Sequence, residues 1–473
     1  MLGLLGAMAA ADSNAALDAP GAWSPEAGAS EVPGEVRESD LASAPWNLWQ
    51  AHMSDDSSDK LLDDSEDRIP ALFDVPREMR DQVRFWLQIY TKYSSREAVI
   101  FDEEHPELVY EVVDFRNLAR TARNRAAYEI VSRQALRARV AAYQAALIRL
   151  SKSGIRPGDR EPARGRKLSQ EERALIRAVR GHSHRHQWAA LKRGLRVQWG
   201  QRDQVIQGLL ASAPHRARMD HVFQSMDLPP ELTLLALVES SFNTRALSHA
   251  GAAGVWQFMP DSGAEFLRVD RGGGVDERVS PIKSTVAAAR LLQRNFRMLG
   301  SWPAAISAYN HGHGKWIRVS RRERVAPGRF LTQCSHSRGV PARLGFASRN
   351  YYAEFLALLR AERYQETAFG PAPSDSGRAV RFVRVTEPER IDALAQRHGL
   401  APQVLLSLNP DLLSSHLPVA RDFLLAVPAT DDDFTEIIAA TRRRERSFHT
   451  SRAARKSALQ AANSRSTPRR RRG

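Results

Sequence analysis

The stretch from Leu228 to Lys315 constrains this chain most, because it sets helix starts, a glycine turn and a lone carboxylate in one order. Asp227-Leu228-Pro229-Pro230-Glu231 reads as a helix start. Proline fits the first turn, Asp can cap it, and Glu favours its positive end. The apolar residues Leu232, Leu235, Ala236 and Val238 carry the helix forward, so Glu239 falls in its last turn. A carboxylate at the negative end of a helix dipole, beside apolar side chains, is destabilised when charged. Its pKa should rise, which suits a general acid working near neutral pH. On this helix alone, a solvated glutamate at a fraying end is the simpler reading.

The following segments change that balance. Ser248-His249-Ala250-Gly251-Ala252-Ala253-Gly254 permits a tight turn and close backbone approach. Trp256, Gln257 and Phe258 then offer aromatic faces and an amide, the groups that stack on sugar rings and read their hydroxyls or acetamido groups. A hairpin with Trp256 in the core is the structural alternative, and alternate strand residues allow both. Ser280-Pro281 starts a helix running to Gly300, and Trp302-Pro303 starts another ending at Tyr309-Asn310 before Gly312. Tyr309 and Asn310 could face the same cleft as Glu239; a buried tyrosine with a satisfied hydroxyl and a helix-capping asparagine is the alternative.

Taken together, Glu239-Ser240-x-Phe242-Asn243, Ser248-x-x-Gly251-Ala252-x-Gly254-x-Trp256-Gln257-Phe258-Met259-Pro260, Asp276-Glu277-Arg278 with Lys283-Ser284-Thr285, and Ala308-Tyr309-Asn310-x-Gly312 resemble a lytic transglycosylase. The resemblance is to the membrane-bound lytic murein transglycosylase D type, within the goose-lysozyme-like fold. It covers about 150 residues closely and extends more loosely to Phe346–Tyr352 and the preceding helical region. It implies cleavage of the β-1,4 bond between N-acetylmuramic acid and N-acetylglucosamine in peptidoglycan, leaving a 1,6-anhydromuramoyl end without adding water. It also implies that Glu239 is the single acid and then base, and that Ser248, Gln257, Tyr309 and Asn310 contact the sugar. Most glycosidases need two carboxylates; here the substrate's own C6 hydroxyl would be the nucleophile. No cofactor or metal is implied. Thr244 stands where a proline is common, and His311 and His313 stand in a usually blander loop.

Residues 379–429 resemble a LysM peptidoglycan-binding module. Ile391–Leu400 fits its first helix, Leu405–Pro410 its second and Phe423–Pro428 its last strand. The Gly-Asp-Thr-Leu of that family is absent, with Thr386-Glu387-Pro388-Glu389 in its place, which leaves glycan binding open.

The fold class expected is therefore mainly α. It comprises an α+β lysozyme-like catalytic domain, a helical N-terminal region and a small βααβ LysM-like C-terminal domain. The expected partition is a signal peptide and disordered acidic leader over 1–68, a helical region over 69–213, the catalytic domain over 214–365, a linker over 366–378, the LysM-like module over 379–430 and a basic disordered tail over 431–473. In the helical region, Ala98–Phe101 and Leu108–Val113 flank a turn and could pair as a hairpin. Leu118 to Leu150 reads as one long helix or a pair, with helix resuming at Glu171.

Composition narrows the partners. Net charge is +15, from 69 Lys plus Arg against 54 Asp plus Glu, which favours an anionic partner such as a carboxylate-bearing wall polymer. The Arg-rich end, finishing Arg469-Arg470-Arg471-Arg472-Gly473, carries no recognised nucleic-acid motif, so no nucleic-acid partner is expected. Cys334 is the sole cysteine, which excludes an intramolecular disulfide and a cysteine metal cluster. His182, His184 and His186 step by two, which does not put ligands on one helical face, and a solvated loop is expected. Met1–Ala11 reads as a secretory signal lacking a positive start. The expectation is a periplasmic or cell-envelope monomer that acts on peptidoglycan glycan strands and associates peripherally with the envelope. A hydrolysing muramidase and a non-catalytic wall-binding scaffold remain as alternatives.

Overall fold

A computed structural model describes residues 55–157, 167–180, 187–314, 317–318, 346–370 and 377–465. The fold is mainly α with small antiparallel sheets, as expected from the sequence. In chain order the principal elements are helices α1 (Asp55–Leu62) and α2 (Arg80–Thr91), strands β1 (Glu97–Asp102) and β2 (Val109–Asp114), and helices α3 (Arg116–Thr121), α4 (Arg125–Ser151) and α5 (Gln170–Val179). Strand β3 (Leu195–Trp199) and helices α6 (Arg202–Gln224) and α7 (Leu235–Ser240) follow. Next come β4 (Val269–Asp270), β5 (Val275–Asp276), α8 (Pro281–Leu299), α9 (Trp302–His311) and α10 (Phe346–Arg363). The chain ends with β6 (Val380–Arg384), α11 (Ile391–Arg397), α12 (Pro402–Leu408), β7 (Leu424–Pro428) and α13 (Thr435–Arg465).

These elements fall into two compact units, each discontinuous in sequence. The first takes Met1–Ser212, Leu234–Phe242 and Leu292–Ser374; the second takes Ala213–Thr233, Asn243–Leu291 and Asp375–Gly473. The stretch 214–365 thus contributes to both.

The first unit is organised around α10. Fifteen successive positions from Phe346 to Ala361, apart from Arg349, are buried, which is the signature of a helix enclosed on all sides rather than amphipathic. Helix α2 packs on it, with Trp86 against Phe346 and Tyr90 beside Glu354. Asn350 fixes the register, since its Oδ1 accepts from both Trp86 Nε1 and Gln82 Nε2 at 2.9 Å. The expected hairpin is present, with Val99 opposite Val112, and it gains β3 on the other edge of β1 to give the order β2-β1-β3. Central β1 is buried from Ala98 to Asp102, while β2 is mostly half-buried. The segment expected as one helix or a pair is a pair, α3 and α4, with Asn124 capping α4 by accepting from Ala127 N at 2.9 Å. Helix α5 opens on a capping box between Ser169 and Glu172.

The second unit contains the turn after Ser248, the β4–β5 hairpin, a βααβ arrangement and α13. Strands β6 and β7 pair antiparallel from Val380–Pro428 to Arg384–Leu424, with α11 and α12 between them in sequence. Ile391, Leu394, Leu405, Val419, Phe423 and Leu425 form the core of this module.

Two expectations are corrected. Residues 12–68 do not stay without structure from Asp55 onward: α1 forms there, with Leu61 and Leu62 buried. The two leucines anchor the helix, while Asp59, Asp63, Glu66 and Asp67 stay exposed. Asp64 then accepts hydrogen bonds from Ile69 N at 3.0 Å and from the Tyr364 hydroxyl. The tail is not without structure over its first part either. Helix α13 begins at Thr435, and Ile437, Thr441 and Glu445 are buried at a four-residue spacing that puts them on one face. The expected signal, the His182–His186 run and Cys334 lie outside the described residues.

If α1 is part of the folded unit, Leu62→Ala should cost about 2–5 kcal/mol, as deletion of a buried leucine does. Thermal denaturation followed by circular dichroism checks this; an unanchored leader would leave the midpoint unchanged.

Candidate active site

Helix α7 is only six residues long, and all six are buried. It ends because Ser241 and Phe242 both adopt positive φ, 49° and 58°, so the chain turns sharply after Ser240. Glu239 therefore sits in the final turn, as the sequence predicts, with a relative exposure of 0%. Gly208 of α6 permits the close approach: a Cβ there would lie 2.8 Å from Leu237 Cδ2 and 2.9 Å from the Ser241 carbonyl.

The environment of Glu239 is a cluster of buried hydroxyls and one further acid. The Tyr351 hydroxyl donates to Glu239 Oε1 at 2.6 Å. Glu239 Oε2 has no hydrogen-bond partner among the described residues. Burial pushes the Glu239 carboxyl up to about 7, against the downward pull of the Tyr351 hydrogen bond. Burial, with the Glu239 charge adding, raises the phenols of Tyr309 and Tyr351 well above their usual range, so both remain hydrogen-bond donors at neutral pH. Glu354, one turn beyond Tyr351 on α10, is also buried; burial and the Glu239 charge push it up to about 8, while the nearby Tyr90 hydroxyl pulls it back. A buried acid near neutrality with one oxygen unengaged is chemically equipped to give up a proton and take one back.

Of the residues singled out from sequence, Glu239, Tyr309 and Asn310 belong to the first unit and Ser248 and Gln257 to the second. Tyr309 and Asn310 lie at the end of α9, both buried. Asn310 Oδ1 accepts from Ser348 Oγ at 3.4 Å, and its Nδ2 has no hydrogen-bond partner among the described residues. His311 Nδ1 meets Ser348 Oγ at 2.8 Å.

Ser248 and Gln257 share one turn in the second unit. Ser248 Oγ accepts from Ala252 N at 2.9 Å, and its backbone N–H donates to the Ala252 carbonyl at 2.8 Å. Gln257 has a φ of 47° and donates from Nε2 to the Gly254 carbonyl at 2.8 Å, leaving Oε1 without a hydrogen-bond partner among the described residues. A short antiparallel ladder closes the turn through Leu247, Ala253 and Phe258. Gly254 is required here: its φ is 73°, and a Cβ would lie 2.0 Å from the Arg278 carbonyl oxygen.

The aromatic residues beside Gln257 are a correction. Trp256 and Phe258 do not present faces for a sugar; both have 0% exposure. Trp256 stacks on Phe223 with ring centroids 6.0 Å apart and donates from Nε1 to Thr285 Oγ1 at 2.9 Å. The aromatic-amide-aromatic pattern is satisfied inward, because the tight turn points both rings into the unit's core.

Tyr351 and Glu354 were not predicted as site residues. Their signal was a glutamate within the otherwise apolar run Tyr351-Tyr352-Ala353-Glu354-Phe355-Leu356, a place where a charge is costly unless it is neutralised or paired. In the second unit, Glu265, Glu445 and His449 each bring one ligand-capable atom within 4.8 Å of the others. His449 Nε2 is already 2.8 Å from Glu265 Oε1 and Arg290 is 2.6 Å from Glu445 Oε2, so these groups pair with one another and with arginine.

Comparison with known proteins places this geometry in context. Residues 223–329, which include Glu239, Ser248, Gln257, Tyr309 and Asn310, match the Transglycosylase SLT domain. The chain is 29% identical over 210 residues to the membrane-bound lytic murein transglycosylase D of Escherichia coli (strain K12), covering 44% of each chain. The same values hold for the protein of that name from Escherichia coli O6:H1. It is also 38% identical over 97 residues to a protein of Alteromonas sp. (strain M-1) named for tributyltin chloride resistance, covering 20% of this chain and 46% of that one. The chain spans less than half the length of each of these curated relatives.

The raised Glu239 pKa has a consequence for stability. In the unfolded chain the carboxyl titrates near 4.5, and in the folded chain near 7. The folded state holds the proton more tightly, so the stabilisation is complete below about 4.5 and is lost as pH rises through about 7. Glu239→Gln removes this dependence. It should therefore gain on the wild type by roughly 3 kcal/mol between pH 4 and pH 8.5. Paired urea titrations at the two pH values measure the change; parallel wild-type and variant curves would contradict the assigned environment.

Proposed function

We propose that this chain, with its transglycosylase SLT match over residues 223–329, is a peptidoglycan lytic transglycosylase. Its reaction is cleavage of the MurNAc-β-1,4-GlcNAc bond without water, giving a 1,6-anhydroMurNAc end. Glu239 acts first as general acid, protonating the bridging oxygen as the bond to the muramoyl C1 breaks. It then acts as general base, taking the proton from that sugar's C6 hydroxyl as the oxygen closes on C1. The carboxyl thus returns to its starting state, and no proton or water is consumed.

One observation carries this reading: a fully buried carboxyl within the matched segment, held near pKa 7 and gripped on one oxygen by Tyr351. A group with this pKa is present in both protonation states at neutral pH, as consecutive acid and base steps require. Tyr351 fixes the carboxyl's orientation and leaves Oε2 for the proton transfer. Ser248, Gln257, Tyr309 and Asn310 are assigned as sugar contacts. Gln257 Oε1, an acceptor, and Asn310 Nδ2, a donor, each lack a hydrogen-bond partner among the described residues, and each is of a kind that sugar substituents engage.

A hydrolysing muramidase would need a second carboxylate to activate water. Glu354 is the buried acid that feels the Glu239 charge, but with a pKa of about 8 it is largely neutral at pH 7 and a poor base there. The single-acid route is favoured for that reason.

The proposed arrangement assigns 214–365 as the catalytic segment, 379–430 as a LysM-like module and glycan strands as the partner, with a periplasmic or envelope location. No helix among the described residues is long and apolar enough to cross a membrane. The basic balance of the chain suits a wall bearing carboxylates, an attraction that salt weakens.

Purified sacculi provide the test. Glu239→Gln should slow turbidity loss by at least about 100-fold, the usual scale of a general acid–base contribution. Muropeptides released by the wild type should weigh one water less than muramidase products. Full-mass products would replace the lyase by a hydrolase, and equal clearing by wild type and variant would favour a non-catalytic scaffold.

A further inference from the structure

The βααβ module is joined to the segment that carries the Ser248–Gln257 turn by a buried network within the second unit. The joint has three layers. The first is backbone pairing. The loop after α12 lies along the β4–β5 hairpin, with Val275 bridged antiparallel to Leu412, Asp276 N donating to the Asp411 carbonyl at 3.0 Å and Leu413 N donating to the Gly274 carbonyl at 2.8 Å. The loop therefore acts as an added strand on that hairpin.

The second layer is apolar. Val275 belongs to the same core as Ile391, Leu405, Leu412, Val419 and Phe423, so the module's interior is completed by a residue of the hairpin.

The third is a desolvated charge network. Lys283 Nζ lies 2.5 Å from Asp411 Oδ2, 3.6 Å from Glu277 Oε1 and 3.7 Å from the Phe423 ring centre. Arg444 of α13 reaches Glu277 Oε2 at 2.8 Å and the Phe266 carbonyl at 3.2 Å. Lys283, Asp411 and Glu277 are all buried. Burial acts to raise the Glu277 carboxyl, but Lys283 and Arg444 outweigh it and hold it below its usual range. Breaking one partner of such a set leaves an uncompensated buried charge, so the network resists opening.

From Asp411 the connection runs on to the turn. Asp276, whose N–H is held by Asp411, grips Arg278 through both carboxylate oxygens, at 2.9 Å to Nε and 2.7 Å to Nη2. Arg278 Nη1 then donates to the Gly251 carbonyl at 2.7 Å and the Phe258 carbonyl at 3.0 Å. One buried guanidinium thus ties both limbs of the turn holding Ser248 and Gln257 to the hairpin that the module completes. A lysine could not replace it, because its single ammonium lacks the planar fork that meets a carboxylate and two carbonyls together.

We propose that the βααβ module is an internal brace of the Ser248–Gln257 turn rather than a free glycan-binding arm, with Asp411 and Arg278 as positioning residues. The brace follows from the contacts alone; its link to catalysis rests on the sugar contacts assigned above to Ser248 and Gln257. By this account the Thr386-Glu387-Pro388-Glu389 departure from the LysM pattern matters little, since the module's job is mechanical.

Hydrogen–deuterium exchange on the full chain separates the brace from its catalytic link. Asp411→Asn weakens the network, Lys283→Met weakens it from the other side if the first variant fails to fold, and Arg390→Gln changes an exposed ion pair of the same module as a control. Peptides spanning 246–258 should exchange at least tenfold faster in Asp411→Asn or Lys283→Met and at the wild-type rate in Arg390→Gln. Wild-type exchange at 246–258, with acceleration confined to Val380–Arg384 and Leu424–Pro428, would overturn the brace. In steady-state digestion of glycan strands, the loosened variants should raise KM at least fivefold with kcat within twofold. A loosened turn with unchanged KM would uphold the brace and reject the sugar contacts assigned to that turn; loss of activity without loosening would reject the brace and leave the catalytic reading intact.

Discussion

The hydrogen bond from Tyr351 to Glu239 is the contact on which the proposed chemistry rests. Burial by itself would leave the carboxyl neutral and free to rotate. The hydroxyl lowers the cost of ionisation and fixes which oxygen faces away. Much of the first unit serves to place these two groups. Gly208 lets α6 come close to the end of α7, two left-handed residues stop that helix immediately after Glu239, and the Asn350 bridge to Trp86 and Gln82 sets the register of α10 that delivers Tyr351.

Glu354 adds a second level to this arrangement. Glu354 feels the Glu239 charge, so it does not ionise easily beside an ionised Glu239, and here the environment separates the two acids. Glu239 has the tyrosine hydrogen bond and the lower pKa; Glu354 lacks a well-formed hydrogen bond at either oxygen among the described residues and keeps its proton longer. Separation of paired titratable groups by environment is how sites divide roles between like residues. The second unit works by different means. Its Ser248–Gln257 turn is held by a buried arginine and backbone carbonyls, contacts that hold geometry without themselves supplying an acid or a base.

Legibility from sequence followed the range of the interactions. Prolines at helix starts announced α8 and α9 correctly, and the apolar run before Glu239 placed it in a last helical turn, because these are local signals. The β1–β2 hairpin was readable from two β-branched runs around a turn. Strand β3 was not, since its pairing with β1 joins residues about one hundred positions apart and its sequence alternates with Arg196 and Gln198. Helices α1 and α13 were hidden by acidic and basic composition, although a few buried residues in each decide their fate. The inward turn of Trp256 could be named from sequence only as one of two alternatives. A pattern of aromatic, amide and aromatic residues states what groups are available, and only the backbone path states which way they point.

The central claim is that the Glu239 carboxyl exchanges its proton near neutrality because it is buried and held by Tyr351. Isotope-edited infrared titration of the carboxyl band, assigned by its loss in Glu239→Gln, reads this directly. The account predicts a midpoint near 7, moving upward in Tyr351→Phe because the hydrogen bond favouring the charged form is gone. A midpoint near the ordinary 4.5, unmoved by Tyr351→Phe, would contradict it.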